Sequence, residues 1–141
     1  MKIESLTPMM GAGVVDGQLV PGRSAAIIPL RKSPDAVDLL QVVMRLVYAP
    51  EEIGKNYHIG GTAQPRGGGN ACGVGNTTFV TGGKPGKPEY ATNLIMIVPV
   101  HFDLAGLYEV IVTLRDVSVP DGDILGRHHV PFRVVEEPST D

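Results

Sequence analysis

The sequence predicts an all-β protein, a two-sheet antiparallel β-sandwich of seven or eight strands, on three observations. Residues branched at Cβ are abundant, with 18 Val, 9 Ile and 8 Thr, and such side chains suit a pleated strand better than a helix. Apolar and polar residues alternate through several short segments, the period of a strand with one buried face. Glycine and proline, 18 and 12 of them in 141 residues, recur too often to leave room for a long helix. The chain has the length of one domain, and with four Tyr, three Phe and no Trp its core must be aliphatic.

Residues 9–15 and 18–30 read as strands, the second broken near Pro21-Gly22. Between them Asp16-Gly17 predicts a two-residue hairpin turn, because only residues tolerant of positive φ fit there. Short helical turns are predicted at 33–39 and at 50–54 and nowhere else. In LLQVVMRLVY (39–48), Leu40, Val42, Met44, Leu46 and Tyr48 make one wholly apolar face, and Leu39, Gln41, Val43, Arg45 and Val47 a mixed one. Weaker strand patterns follow at 57–64, 77–81 and 93–102. In residues 107–117 Tyr108, Val110, Val112 and Leu114 point one way, with Glu109, Thr113 and Arg115 turned outward. A turn at Pro120-Asp121-Gly122-Asp123 leads to the last strand, where Val130, Phe132 and Val134 share a face. Pro131 in that strand cannot donate to a ladder, which predicts an edge or a bulge.

Two motif sets carry resemblances. The segment DLAGLYEVIV (103–112), a D-x-x-G-x-Y run into a strand, resembles the tyrosine corner of immunoglobulin-like sandwiches, which implies structural roles for Gly106 and Tyr108. The hairpin Val14-Val15-Asp16-Gly17, the apolar strand from Leu39 to Pro50, the spacing Pro99, Phe102, Gly106, Tyr108 and the closing Pro131 to Val134 together resemble a family of small bacterial and phage β-sandwich proteins of unknown function. That resemblance implies an immunoglobulin-like or jelly-roll-like fold and transfers no catalytic residue.

The chain departs from this pattern at residues 60 to 90, a glycine-dense insert in a single domain spanning 1–141. Ten of the 18 glycines fall in residues 60–86. The run RGGGNACGVGNTTFVTGGKPGKP (66–88) is not a Walker A loop, since Val74 and Gly75 stand where Lys and Ser/Thr are needed. No third glycine and no helix follow Gly73-Val74-Gly75 to make a dinucleotide fingerprint. The remaining expectations are a flexible hairpin extension, an arm that contacts a partner or another subunit, or a backbone nest for an anion. The contact candidates are Arg66, Gly67, Gly68, Gly69, Asn70 and Cys72, together with Lys84 and Lys87.

Chemistry elsewhere is sparse. Adjacent His128 and His129 point to opposite faces of a strand and cannot share an ion. A site combining His58, His101 and Asp103 is geometrically conceivable, but no spacing selects it. Cys72 lacks a neighbouring base, and Ser24 and Ser118 lack a nucleophile-elbow context. Asp121 and Asp123 lack the other ligands of a calcium loop. No catalytic residue, metal or cofactor is therefore predicted.

A net charge of −3 without basic clusters argues against nucleic acid as a partner, and no apolar run reaches membrane-spanning length. MKIESLTP lacks the apolar segment of a signal peptide and Cys72 is the only cysteine, so the expected setting is the cytoplasm or a particle assembled there. The functional expectation is a non-catalytic structural or interaction protein. It would form homo-oligomers or dock on a larger assembly such as a phage particle or bacterial complex, using the glycine loop and the termini. The alternatives are a protein that binds a small anion or nucleotide-like ligand and, third, a metal-dependent enzyme.

Overall fold

The computed structural model describes residues 1–16, 18–84, 86–118 and 122–136. Within these the chain is all-β. Its strands are β1 (Lys2–Met10), β2 (Gly13–Val15), β3 (Gln18–Val20), β4 (Arg23–Ser24), β5 (Ile27–Leu30) and β6 (Asp38–Tyr48). They continue with β7 (Asn56–Pro65), β8 (Gly73–Val80), β9 (Tyr90–Val100), β10 (Gly106–Asp116) and β11 (Ile124–Glu136). The helical turn predicted near residue 50 is a 3-10 turn at Pro50–Glu52; the one predicted at 33–39 is a simple turn at Pro34-Asp35 followed by the start of β6.

Where the sequence predicts two separate sheets, nine of the eleven strands form one sheet in the order β4-β1-β6-β9-β8-β7-β10-β11-β5, and β2 and β3 form a separate hairpin. The sheet rolls into a nearly closed barrel. Two features explain the roll. At one place β8 meets β9 with a single registered pair, Gly73↔Val100, so the sheet turns a corner there. At the other, Ser24 to Ile27 carries the chain from one edge of the sheet to the opposite edge. Ala25 N–H donates to Pro8 O at 3.0 Å, and Arg133 N–H donates to Ala26 O at 2.9 Å. β5 then runs parallel to β11, while β4 is antiparallel to β1. Ala25, 1% exposed, is small enough to pass through this crossing.

The alternation expected from the sequence sets the core. Leu40, Val42, Met44 and Leu46 meet Met96, Val98 and Val100 from β9, Ile59 and Ala63 from β7, and the inward faces of β10 and β11 in one apolar cluster. Burying each large aliphatic side chain contributes about 1.5–3 kcal/mol relative to leaving it in water. Phe102, Tyr108 and Phe132 close one end, with ring centroids 4.9 to 5.7 Å apart.

Pro131 sits where its missing N–H costs nothing. N–H groups two residues apart on a strand point the same way, so the Arg133 bond to Ala26 places the Pro131 nitrogen on the β5 side, where β5 pairing begins only at Arg133. The bulge in this hairpin lies elsewhere, between Leu114 and Arg115. Asp16 adopts φ +51° at the β2–β3 turn. Gly17, Pro120, Asp121 and the C-terminal arm from residue 137 onward lie outside the described residues.

Candidate functional site

The glycine-dense stretch divides into parts with different roles. Most of residues 60–80 is strand. Gly61, Gly73 and Gly75 lie within β7 and β8, where the absence of a side chain is a packing requirement. A Cβ on Gly73 would lie 2.2 Å from Pro99 O, and one on Gly75 would lie 2.2 Å from Ile97 O. The loop proper is the seven residues 66–72. Its base is held by Arg66 N–H to Leu107 O at 2.9 Å and Cys72 N–H to Ala63 O at 2.8 Å. Its tip, with Gly67, Gly68, Gly69 and Asn70, is exposed.

Lys84 and Lys87 belong to a different connection, between β8 and β9. The length of β8, eight residues at about 3.3 Å each, separates them from Arg66. The three cations proposed for an anion nest are therefore not brought together.

Beside the loop base lies a cleft of about 360 Å³ lined by Cys72, His101, Asp103, Tyr108 and their neighbours. A thiol, an imidazole and a carboxylate in one cleft invite a nucleophilic reading, and the hydrogen bonds deny it. The two ring nitrogens of His101 lie 2.7 Å from Ala36 O and 3.0 Å from Asp103 Oδ1. Acceptors on both nitrogens favour the imidazolium; the Ala36 carbonyl, outweighing desolvation, and then Asp103 raise its pKa. Neither nitrogen is left to take a proton from Cys72. The thiol donates to Ala63 O at 3.4 Å, and burial raises its pKa, which disfavours the reactive thiolate.

Tyr108 Oη donates to Leu104 O at 2.6 Å, the back-bond of a tyrosine corner, and its pKa is raised by burial first. Gly106, at φ +154°, allows the chain to enter β10 at that corner. His58 lies on β7, lining a different cavity from His101 and Asp103. Among the described residues no group of three His, Cys, Asp or Glu side chains could hold a metal ion.

The outer surface of the rolled sheet carries two contrasting faces. Toward one end of β6 and β9 it presents an apolar patch, flanked by Gln41, Thr7 and the exposed Arg45–Glu4 ion pair. The registers Leu39↔Pro99, Gln41↔Ile97, Val43↔Ile95 and Met9↔Gln41 set these side chains next to one another. Leu39 is 59% and Ile97 49% exposed, while Val43, one row beyond the Gln41–Ile97 pair, is 6% exposed. Gln41 accepts from Ala12 N–H at 2.7 Å and donates to Ala12 O at 2.9 Å, which ties the root of the β2–β3 hairpin to this face.

Over β8, β7, β10 and β11 the outer surface is a polar, cationic groove of about 560 Å³. Arg115 stands opposite His58, Thr113 opposite both Gly60 and Arg127, and Ile111 opposite Thr62 and His129. Asn76 continues the Gly60 row on β8. His129 Nδ1 lies 2.9 Å from Glu109 Oε2. The sequence does show Thr113 and Arg115 turned outward on one strand. It cannot show the groove, because the order β8-β7-β10-β11 unites residues from four segments that are distant in the chain.

No family model and no curated protein matches the sequence. Two solved structures of a bacterial adhesin from Mobiluncus mulieris, containing intramolecular disulfide, isopeptide and ester bond cross-links and crystallised in space groups P21 and P1, are similar in fold. Each matches with TM-score 0.53 and 14% identity over 92% of this chain. This chain spans 58% of the adhesin chain, and with one cysteine it has no internal disulfide to compare. At this identity the likeness is one of β-rich fold.

Proposed function

We propose that the protein is a non-catalytic structural or interaction domain whose β-framework presents its outer faces to partners. The observation that carries this reading is the apolar patch on β6 and β9, where Leu39, Ile97 and Pro99 meet water. Exposed contiguous apolar surface on a folded domain marks an interaction site. The partner we favour is a second copy of this chain, because a two-fold axis would set the same apolar patch of two copies against itself. The likeness to adhesins supports a β-rich interaction domain in general terms. Docking of this β-domain on a larger assembly through the exposed tip at residues 67–71 is the finer form of the same proposal. Its setting would be the cytoplasm or a particle assembled there.

Light scattering of the full chain over a range of concentrations tests this. The expected result is a dimer or larger oligomer that the double variant Leu39→Glu/Ile97→Lys converts to monomer with its melting temperature little changed. A wild-type chain that stays monomeric at every concentration overturns self-association. A specific observation, the cationic groove, favours a second reading as a small-ligand binder.

A further inference from the structure

We propose that the groove over β8, β7, β10 and β11 is a binding site for a carboxylate-bearing sugar. The inference goes beyond the self-association reading and stands on different residues. Cross-strand neighbours on one sheet face have Cβ atoms about 5 Å apart. The register therefore sets Arg115 beside His58, with Arg127 one row along beside Thr113. Among the described residues no carboxylate lies within ion-pair distance of Arg115 or Arg127, whereas Arg31 and Arg45 each have a carboxylate partner. The acid nearest the groove along β10, Glu109, is engaged by His129.

Two guanidinium groups on one sheet face without a paired carboxylate repel each other and cost stability. An anion bound between the two guanidinium groups relieves that cost, and the planar fork of Arg suits a carboxylate above other shapes.

The rest of the lining distinguishes a sugar from other anions. Gly60 lies between Asn76 and Thr113 in the floor, and a Cβ there would meet only the His58 ring at 3.4 Å. The floor is open to backbone depth at that row. Asn76, Thr113 and Thr62 offer the paired donors and acceptors that hydroxyl groups need, and Ile111 with Val74, 62% exposed, offers an apolar patch for the C–H face of a ring. Among the described residues no Tyr, Phe or Trp lines the groove, so a nucleobase would find no stacking platform there. Its volume falls within the range of small-ligand sites.

The test is a titration of the full chain with a short galacturonate oligomer, followed by calorimetry and by amide NMR shifts. The same oligomer as its methyl ester, a poly-glutamate peptide and inorganic phosphate serve as comparisons. The expected result is saturable binding of the uronate with shifts centred on Gly60 and Thr113. The double variant Arg115→Gln/Arg127→Gln should lose about tenfold or more in affinity while keeping the wild-type circular dichroism spectrum. Lys84→Gln/Lys87→Gln, which removes equal charge away from the groove, should bind as wild type. No saturable shift overturns the proposal, as do equal binding of the methyl ester and unchanged binding by the arginine variant. Tighter binding of poly-glutamate or phosphate overturns the assignment to a sugar. Oligomeric state is unaffected by any of these outcomes, so the two readings fail separately.

Discussion

Two groups of glycines only a few residues apart do opposite things. Gly73 and Gly75 lie in β8 under the backbone of β9, where a methyl group would lie 2.2 Å from Pro99 O or Ile97 O. Gly67, Gly68 and Gly69 lie in the hairpin loop at φ +96°, +106° and +141°, with no atom within 4 Å of a Cβ on the first two. The first pair is glycine because space is lacking, and the second group because the backbone there adopts positive φ. Glycine density in a sequence thus reports two unrelated needs. The strand pair lets β8 approach β9 and turn the sheet at its corner, which also orients the outer face of β8 and β7 into the cationic groove.

The largest expected effect comes from filling the corner. Gly75→Ala forces β8 from the Ile97 carbonyl, a backbone atom that cannot rotate aside, and should cost about 2–3 kcal/mol in denaturant unfolding. Gly61→Ala meets the Met96 methyl at 2.5 Å, the far end of a flexible side chain, and should cost clearly less. Equal losses at both positions would break the distinction between backbone and side-chain crowding. Gly75→Ala should also displace the groove amides in NMR spectra, since Gly75 and Asn76 belong to both corner and groove.

Much of the fold is legible in the sequence because alternation is a local signal. Leu40 to Tyr48, Tyr108 to Leu114 and Val130 to Phe132 face inward as their spacing predicts, and the Tyr108 hydroxyl finds the preceding corner. β1 is obscured because Pro8 and the register shift between Ile3 and Ser5 interrupt its period. The start of β8, with Gly73 and Gly75, is hidden by glycine, which carries no face preference. The single continuous sheet depends on the crossing at Ser24 to Ile27 and on strand order, neither of which any short window encodes. The groove is hidden for the same reason: Arg115, Arg127 and Asn76 are each ordinary outward residues until their strands are placed side by side.

Gly82 and Gly83, beyond the far end of β8, lie between the two extremes, held by anchors on neighbouring residues. Tyr48 Oη donates to Gly82 O at 2.6 Å, and Gly54 N–H donates to Thr81 O at 2.9 Å. The anchoring turn centres on Glu52. Burial raises the pKa of this carboxyl, but bonds from the Met1 amine, Ala49 N–H and the Tyr57 hydroxyl outweigh that and hold it below its ordinary value of 4.5. A folded-state pKa below the unfolded one means stability present above pH 4.5 and lost as pH falls through the folded value. Glu52→Gln should therefore lower stability by about 1–2 kcal/mol at neutral pH, with the gap to wild type closing below pH 4.5. A gap that does not change with pH would show that packing, and not the charge, anchors this turn.

The smallest effect, and the sharpest separation of the two kinds of glycine, is expected at the loop tip. Gly68 N–H donates to Pro65 O at 3.2 Å, so Gly67 is the third residue of a tight turn, the position where positive φ calls for Gly or Asn. Gly67→Ala should cost about 1 kcal/mol, and Gly67→Asn less, because Asn tolerates left-handed backbone. At Gly75 the order reverses: the φ there is ordinary and the obstruction is volume, so Asn, the larger side chain, should cost more than Ala. Thermal unfolding of the four variants measures both orders together. The same order at both positions would mean that one physical cause governs the whole stretch. Opposite orders would show that strain governs the tip and crowding the corner, so that the tip can be redesigned without disturbing the sheet corner behind the groove.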